Sequence, residues 1–179
     1  SMVRTGVHNF FANLGDAWSF VNNVLQLKPQ EAGESFIRVN VNTLFGLGGL
    51  LDIASEMNID RHSQDFGRTL GRWGVATGPY LVLPLLGPST LRDAAALPVD
   101  AYGDLVFAIH DVPVRNSLYG LRVIDERASL LRAGTMLDQA ALDKYSLTRD
   151  VYMQLRRNDQ SAAKRNDDDD GAVPDDAGE

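Results

Sequence analysis

The chain has 179 residues, enough for one domain with a sizeable core, and a formal charge of −7 that is concentrated at one end. Residues 158–179 hold eight acidic and two basic residues, so residues 1–157 are nearly neutral and lack the basic surface that nucleic-acid binding requires. The absence of cysteine excludes a disulfide framework and a thiolate zinc site within this chain, without choosing a compartment.

In chain order, Ser1-Met2 reads as an added start, and the natural amino terminus is expected upstream of a terminal segment, residues 1–6. Val7, Phe10, Phe11, Leu14, Trp18, Val21 and Leu25 then recur at three- and four-residue spacing. They predict one face of an amphipathic helix that Lys28-Pro29 should end. A second helix is expected after Pro29, through Phe36, Val39 and Asn40 towards Leu44. Its continuation to Ala54 is too short, too glycine-rich and, with Asp52, too polar to span a bilayer. Ser63-Gln64-Asp65 predicts the cap of a short helix from Phe66 to Trp73. Tyr80–Leu83, between prolines, suits an extended hairpin segment. Thr90-Leu-Arg-Asp93 has capping-box spacing, so another helix follows, limited or kinked by Pro98. Val114, Leu118, Leu121, Ile124 or Asp125, Ala128 and Leu131 predict a helix from about Pro113 to Gly134. Leu137, Ala141, Tyr145, Thr148, Tyr152 and Leu155 predict a last one to about Arg157. The fold class is all-α, and the tail from residue 158 is expected to be disordered, with Asp167 to Asp170 solvated.

Candidate chemistry is sparse. Gly46-Leu-Gly48-Gly49 lacks the last glycine of a dinucleotide loop and the surrounding strand–turn–helix pattern, so close helix packing is the better reading. His8, His62 and His110 show no metal-ligand spacing, and Ser89 has no nucleophile elbow. Exposed or capped polar roles are expected for them, with no catalytic residue, metal or cofactor. Arg61, Arg68, Arg72 and Arg92 lie within an aromatic, glycine-rich segment. Ion pairs to Asp60, Asp65 or Asp93 are the favoured reading, and contact with phosphate head groups is the other. Gly74 and Gly78 before Pro79 supply a backbone able to bend.

Three motifs stand in a specific order: NTLFGLGGLLDIA from Asn42, DFGRTLGRWG from Asp65, and GPYLVLPLLGPSTLRD from Gly78. Together they resemble the MlaA (VacJ) family of outer-membrane lipoproteins, over roughly Val7 to Arg157. The resemblance implies a single ring-like domain, residues 7–157, of short amphipathic helices around an amphipathic channel, seated at the periplasmic side of the outer membrane. It also implies an upstream lipid-modified cysteine and an opening segment missing here. Its function would be removal of misplaced phospholipid from the outer leaflet, maintaining lipid asymmetry, with trimeric porins and a periplasmic phospholipid carrier as partners. A soluble lipid-binding protein and a porin-associated adaptor are the alternatives.

By motif position, the passage and its hinge fall to Gly74, Gly78, Pro79, Tyr80 and Pro84. Relatives often carry another glycine where Ala76 stands, so a static turn and a moving hinge both remain open. Asn42, Gly46, Gly49 and Asp52 match the first motif, and Phe66, Gly67, Leu70 and Gly71 the second. Pro88, Ser89, Thr90, Arg92 and Asp93 match the third. Removing residues 158–179 is expected to leave the melting temperature unchanged within experimental error; a clear drop would show that the tail docks.

Overall fold

The computed structural model describes residues 2–84, 86–140, 143 and 145–157, so the acidic tail lies outside the described residues. Helix α1 (Met2–Leu25) turns through residues 26–28 into α2 (Pro29–Leu44), whose first position is the proline that ends the turn. Glycine-rich turns lead to α3 (Ile53–Glu56), capped by the Asp52 carboxylate accepting from the Ser55 amide, and then to α4 (Phe66–Arg72). Asp65 caps α4 by accepting from the Arg68 amide. Strands β1 (Tyr80–Leu83) and β2 (Gly87–Thr90) form an antiparallel hairpin, with Tyr80 opposite Thr90 and Leu83 opposite Gly87. Thr90 then caps α5 (Leu91–Gly103), its hydroxyl accepting from the Asp93 amide, as the capping-box spacing requires. Helix α6 (Val112–Ala140) and a helix α7 over residues 145–157 complete the chain.

Two boundaries differ from expectation. Gly134 does not stop α6, and Leu137 belongs to α6 rather than to the last helix. A glycine inside a helix costs only about 1 kcal/mol, too little to end it unaided. The Asp143 carboxylate instead accepts from the Tyr145 amide at 3.0 Å and the Ser146 amide at 3.2 Å, and α7 starts there. The Gly46–Gly49 run forms a turn that allows the close helix packing expected of it. Gly49 sits at φ +93°, where an added Cβ would lie 2.7 Å from the Asn13 side-chain nitrogen of α1.

What the helices bury is the main finding. Among the described residues the buried hydrophobic side chains are Phe11, Ala32, Ala54, Ala96 and Val106, and buried polar ones far outnumber them. Helix α1 turns Asn13, Asp16, Ser19, Asn22 and Asn23 inward; of its apolar stripe Val21 and Leu25 face out, Phe11 is buried, and Val7, Phe10, Leu14 and Trp18 are half-buried. Helix α2 buries Ser35, Arg38 and Asn42 and exposes Phe36 and Ile37. In α6 the open choice between Ile124 and Asp125 falls to Asp125 inside, with Ile124 67% exposed. In α1 and α2 the most completely buried side chains are thus mainly those of the polar face.

Such an interior must be held by polar bonds, because a buried polar group without a partner is costly. Arg38, 1% exposed, lies between α1, α2 and α3. Its Nε donates to Asp16 at 3.2 Å and its Nη2 to Asp52 at 2.8 Å, and Nη1 donates to the Ile59 carbonyl. Arg61 adds a second cation, 3.1 Å from Asp16 and 3.5 Å from Asp52. Asn42 donates to Asp52 at 3.1 Å and accepts from the Ala54 amide at 2.9 Å. Further along α1, Asn22 accepts from the Thr69 hydroxyl at 2.7 Å, and Gln26 donates to the Thr69 oxygen at 3.1 Å. These bonds tie α4 to α1.

Removing Arg38 leaves two carboxylates with Arg61 as their remaining cation. Arg38→Ala is expected to cost about 3–5 kcal/mol of unfolding free energy, and Phe36→Ala on the outward face under about 0.5 kcal/mol. Denaturant unfolding in a mild detergent would check both; equal losses would contradict the inverted packing.

Candidate functional site

The helices run round two cavities that share Trp18 and Asp100. The first, about 340 Å³, lies between α1, the end of α5 and α6; Phe11, Leu14 and Trp18 form its apolar side and Asp104, Asp125 and Glu126 its acidic side. The second, about 310 Å³, lies between α1, the hairpin, α5 and α7. Leu83, Leu86, Pro88 and Leu97 face Asp65, Asp93, Tyr152 and Arg156 across it. Each cavity is therefore amphipathic.

Trp18 Nε1 donates to the Asp100 carboxylate at 2.8 Å, and the same oxygen accepts from the Phe66 amide at 2.8 Å. One carboxylate thus joins α1, α4 and α5 beside both cavities. Burial raises its pKa above the usual aspartate value, although both hydrogen bonds oppose the shift. The indole lies so close to α5 that a Cβ on Gly103 would sit 2.3 Å from its ring.

Behind the second cavity, Arg156 of α7 holds Asp65 at 3.0 Å and Asp93 at 3.1 Å. The Tyr152 hydroxyl donates to Asp93 at 2.9 Å, and Arg92 donates to the other Asp93 oxygen at 3.0 Å. Burial alone would raise the Asp93 pKa. Arg156, the bonds from Tyr152 and Thr90, and Arg92 outweigh it and leave the carboxyl below its usual value.

The hairpin is hung from two glycines. Gly74 has φ +91° with open space around its Cβ position, and Gly78 has φ +72° with Leu91 only 3.1 Å from that position. Both require the left-handed region that other residues enter at a cost. Between them and α5, the Leu91 amide donates to the Pro79 carbonyl at 3.1 Å and the Arg92 amide to the Thr77 carbonyl at 3.3 Å. Tyr80 meets Tyr145 and Tyr152 edge-on at 5.9 and 6.1 Å. It lines a third cavity of about 560 Å³ with Arg149, Met153 and Arg157, and neither of the first two. Gly74, Gly78, Pro79 and Pro84 line none of these three; hairpin residues Leu83, Leu86, Pro88 and Ser89 do.

The three motifs come together as structure. Asn42 and Asp52 of the first join Arg38's network, with Gly46 and Gly49 in the turns between them. Phe66, Gly67, Leu70 and Gly71 form α4, where a Cβ on Gly67 would lie 2.5 Å from Asp93 of the third motif. Pro88, Ser89 and Thr90 are β2, and Arg92 and Asp93 open α5.

Among the arginines, Arg61 pairs with Asp16 and Asp52 rather than with Asp60, and Arg92 pairs with Asp93. Arg68 stands 4.0 Å from Asp65, and Arg72 lies in the last turn of α4. His8 bonds Asp125 at 2.9 Å, His62 bonds Glu34 at 2.6 Å, and His110 is exposed. Ser89 is buried, contrary to the expected exposure, because the hairpin lays it against α5, where its hydroxyl donates to the Thr90 carbonyl at 3.3 Å.

The MlaA lipoprotein family matches residues 1–159. This chain belongs to it. Among its relatives, the intermembrane phospholipid transport system lipoprotein MlaA of Haemophilus influenzae is 36% identical over 156 residues, covering 85% of this chain and 62% of that protein. The MlaA of Escherichia coli is 34% identical over 154 residues, covering 84% and 61%. The chain thus spans about three fifths of the length of these relatives. A solved structure from work on the structural basis for maintenance of bacterial outer membrane lipid asymmetry superposes with a TM-score of 0.71 and 31% identity. That match covers 89% of this chain and 80% of the other.

Within this MlaA fold, Arg38, Asp16, Asn22, Gln26, Thr69, Asp100 and Arg156 carry the interior, yet the apolar periodicity pointed to none of them. A signal was available. Asn9, Asn13, Asp16, Asn23 and Gln26, like Ser35, Arg38 and Asn42, repeat at helical spacing on the face opposite the apolar stripe.

Asp93's depressed pKa sets a pH test. Its contribution to stability is fully present above the ordinary aspartate value of 3.8 and is lost as pH falls through the lower folded-state value. Asp93→Asn is expected to lose about 2 kcal/mol at neutral pH, the scale of hydrogen bonds to a charged group. The gap to the parent protein should narrow below pH 3.8. Thermal unfolding of both proteins from neutral to acid pH measures it, and a constant gap would mean that packing, not charge, is lost.

Proposed function

We propose that this chain is the membrane-seated part of an outer-membrane phospholipid-transport lipoprotein. It gives phospholipid from the outer leaflet an amphipathic route towards the periplasm, which maintains lipid asymmetry. The observation that carries this reading is the distribution of the side chains: polar groups fill much of the interior beside two amphipathic cavities while Phe36, Ile37, Leu44, Phe45 and Leu47 face outward. In water such an exterior is unfavourable; against acyl chains it costs nothing, and the polar interior spares a head group the cost of crossing hydrocarbon. Among the described residues no helix is long and apolar enough to cross a membrane. Helix α2, with 16 residues, is about 24 Å long, so the domain would sit in the bilayer by its apolar outer faces.

The names of the MlaA relatives, a phospholipid transport system, support the same substrate for this chain. The reading requires no covalent step, so the protein acts as a conduit and not as an enzyme. Lipid anchoring from an upstream segment, a seat on the periplasmic side, trimeric porins as membrane partners and a periplasmic carrier as recipient complete the proposal. The hairpin on Gly74 and Gly78 is its natural moving part. It lines the second cavity and is anchored to α5 through the Thr77 and Pro79 carbonyls.

The test places a photo-crosslinking residue at Leu83 or Leu14, one per cavity, in the full-length protein in cells, with Gln160 in the tail as control. Phospholipid adducts at both cavity positions and none at Gln160 are expected. Porin adducts without lipid, in a folded protein, would make the cavities part of a docking surface and favour a structural adaptor.

A further inference from the structure

We propose that the Trp18 indole is a movable partition between the first and second cavities. Asp100 and Gly103 seat it on α5, and a lipid crosses from one cavity to the other only when the indole leaves that seat. This inference rests on the transport reading above and names the residue that controls the route. Trp18 and Asp100 are the two residues that line both cavities. The wall that the cavities share is thus one side chain from α1 set against one from α5. On one side of it lie Phe11 and Leu14, and on the other Leu83, Leu86 and Leu97. The indole divides these two apolar sides. The hairpin on Gly74 and Gly78 is a separate element, since its residues line the second cavity and not the first.

The seat is shaped for an indole. Trp18 Nε1 donates to the Asp100 carboxylate at 2.8 Å, and this bond uses the one donor that an indole has. The Phe66 amide holds the same oxygen from α4, also at 2.8 Å, so the acceptor stays in place when the indole swings away. Asp100 and Gly103 stand three residues apart on one face of α5. A Cβ at Gly103 would lie 2.3 to 2.4 Å from three ring carbons of Trp18. Gly103 lacks the positive φ that is the usual reason for glycine at a helix end. Room for the ring is therefore what this position requires. Trp18 is nevertheless only half-buried, with a cavity on either side of the wall it forms. A side chain in a close-packed core has nowhere to turn. This one has open space beside it and a single hydrogen bond to give up. With its N–H committed to Asp100, the indole has no polar atom to offer a lipid, so its effect on passage is steric.

The experiment uses the full-length protein in membrane vesicles, with a photo-crosslinking residue at Leu14 in the first cavity or at Leu83 in the second. A fluorescent short-chain phosphatidylethanolamine is added by rapid mixing, and adducts are fixed by light flashes at successive times. Label is expected at one position first and at the other after a lag, the time taken to cross the partition. Trp18→Phe keeps a ring but loses the donor. It should shorten the lag about tenfold, the rate equivalent of one hydrogen bond to a charged group. Trp18→Ala should abolish the lag. Gly103→Ala, which pushes the ring from its seat, should shorten the lag alone and change nothing further once Trp18→Ala is in place. The two Trp18 variants carry the test should Gly103→Ala not fold. Label confined to one position in the parent that reaches both after Trp18→Ala supports the partition; label confined to one position in every variant overturns it. A purely structural role for Trp18 would lower the melting temperature and the adducts at both positions together while the lag persists, and that result overturns the partition. Simultaneous labelling of both positions in the parent does the same and leaves the transport reading standing. Label at neither position of a folded protein would overturn the transport reading and this inference with it.

Discussion

Everything in this fold depends on keeping charged and polar groups inside. Asp16, Arg38, Asp52 and Arg61 form a neutral set of two carboxylates and two guanidinium groups, wedged where α1, α2 and α3 converge. Burial acts on its two acids differently. It raises the pKa of Asp16 despite both arginines. At Asp52, bonds from Ser55 and Asn42, helped by Arg38 and Arg61, overcome burial and lower it. Asp16 is therefore a group whose ionised state the fold tolerates only because the arginines are there. A buried pair of this kind adds little stability over an apolar core, but losing one member is severe. That asymmetry makes the network a constraint on the geometry rather than a source of excess stability.

The same economy of partners recurs around the cavities. Asp100 holds an indole and a backbone amide with one oxygen, and Asp93 is shared by Arg92, Arg156 and Tyr152. Each carboxylate thereby fixes elements distant in sequence, and Arg156 ties α7 to the cap of α4 and to α5. These bonds brace the walls while the space between them remains open. A conventional apolar core could not do this, because close packing would fill the space. The hairpin joins α5 through the Thr77 and Pro79 carbonyls, at the same end as Gly74 and Gly78.

Inversion also explains the exposed leucines. Leu27 and Leu47 are 84% and 71% exposed and adopt φ values of +57° and +55°. A bulky residue in the left-handed region is unusual. Both occupy turns at the two ends of α2, where they extend the apolar exterior beyond the helix itself. Under the proposed function these tips meet hydrocarbon, and the amphipathic cavities receive the polar end of a lipid molecule. The outside and the inside of the domain would then match the two ends of one amphiphile.

Much of the local structure was legible in the residues. Pro29 opens α2, Asp65 and Thr90 cap α4 and α5, and the Tyr80–Leu83 strand ends where its prolines and glycines require, since capping and turn chemistry act over a few residues. The motif order was enough to indicate the family. Periodicity could show that α1 has an apolar and a polar face, but not which one faces in, because a helical stripe has the same spacing in water and in lipid. Only the tertiary structure decided that Asn13, Asp16 and Arg38 are interior, since their burial becomes affordable when partners from other helices arrive. Arg61 shows the same limit: its neighbour Asp60 looked like its partner, yet the fold brings Asp16 and Asp52, the first 45 residues away, within bonding distance. Charge pairing across the chain is a property of the assembled helices, and no local spacing encodes it.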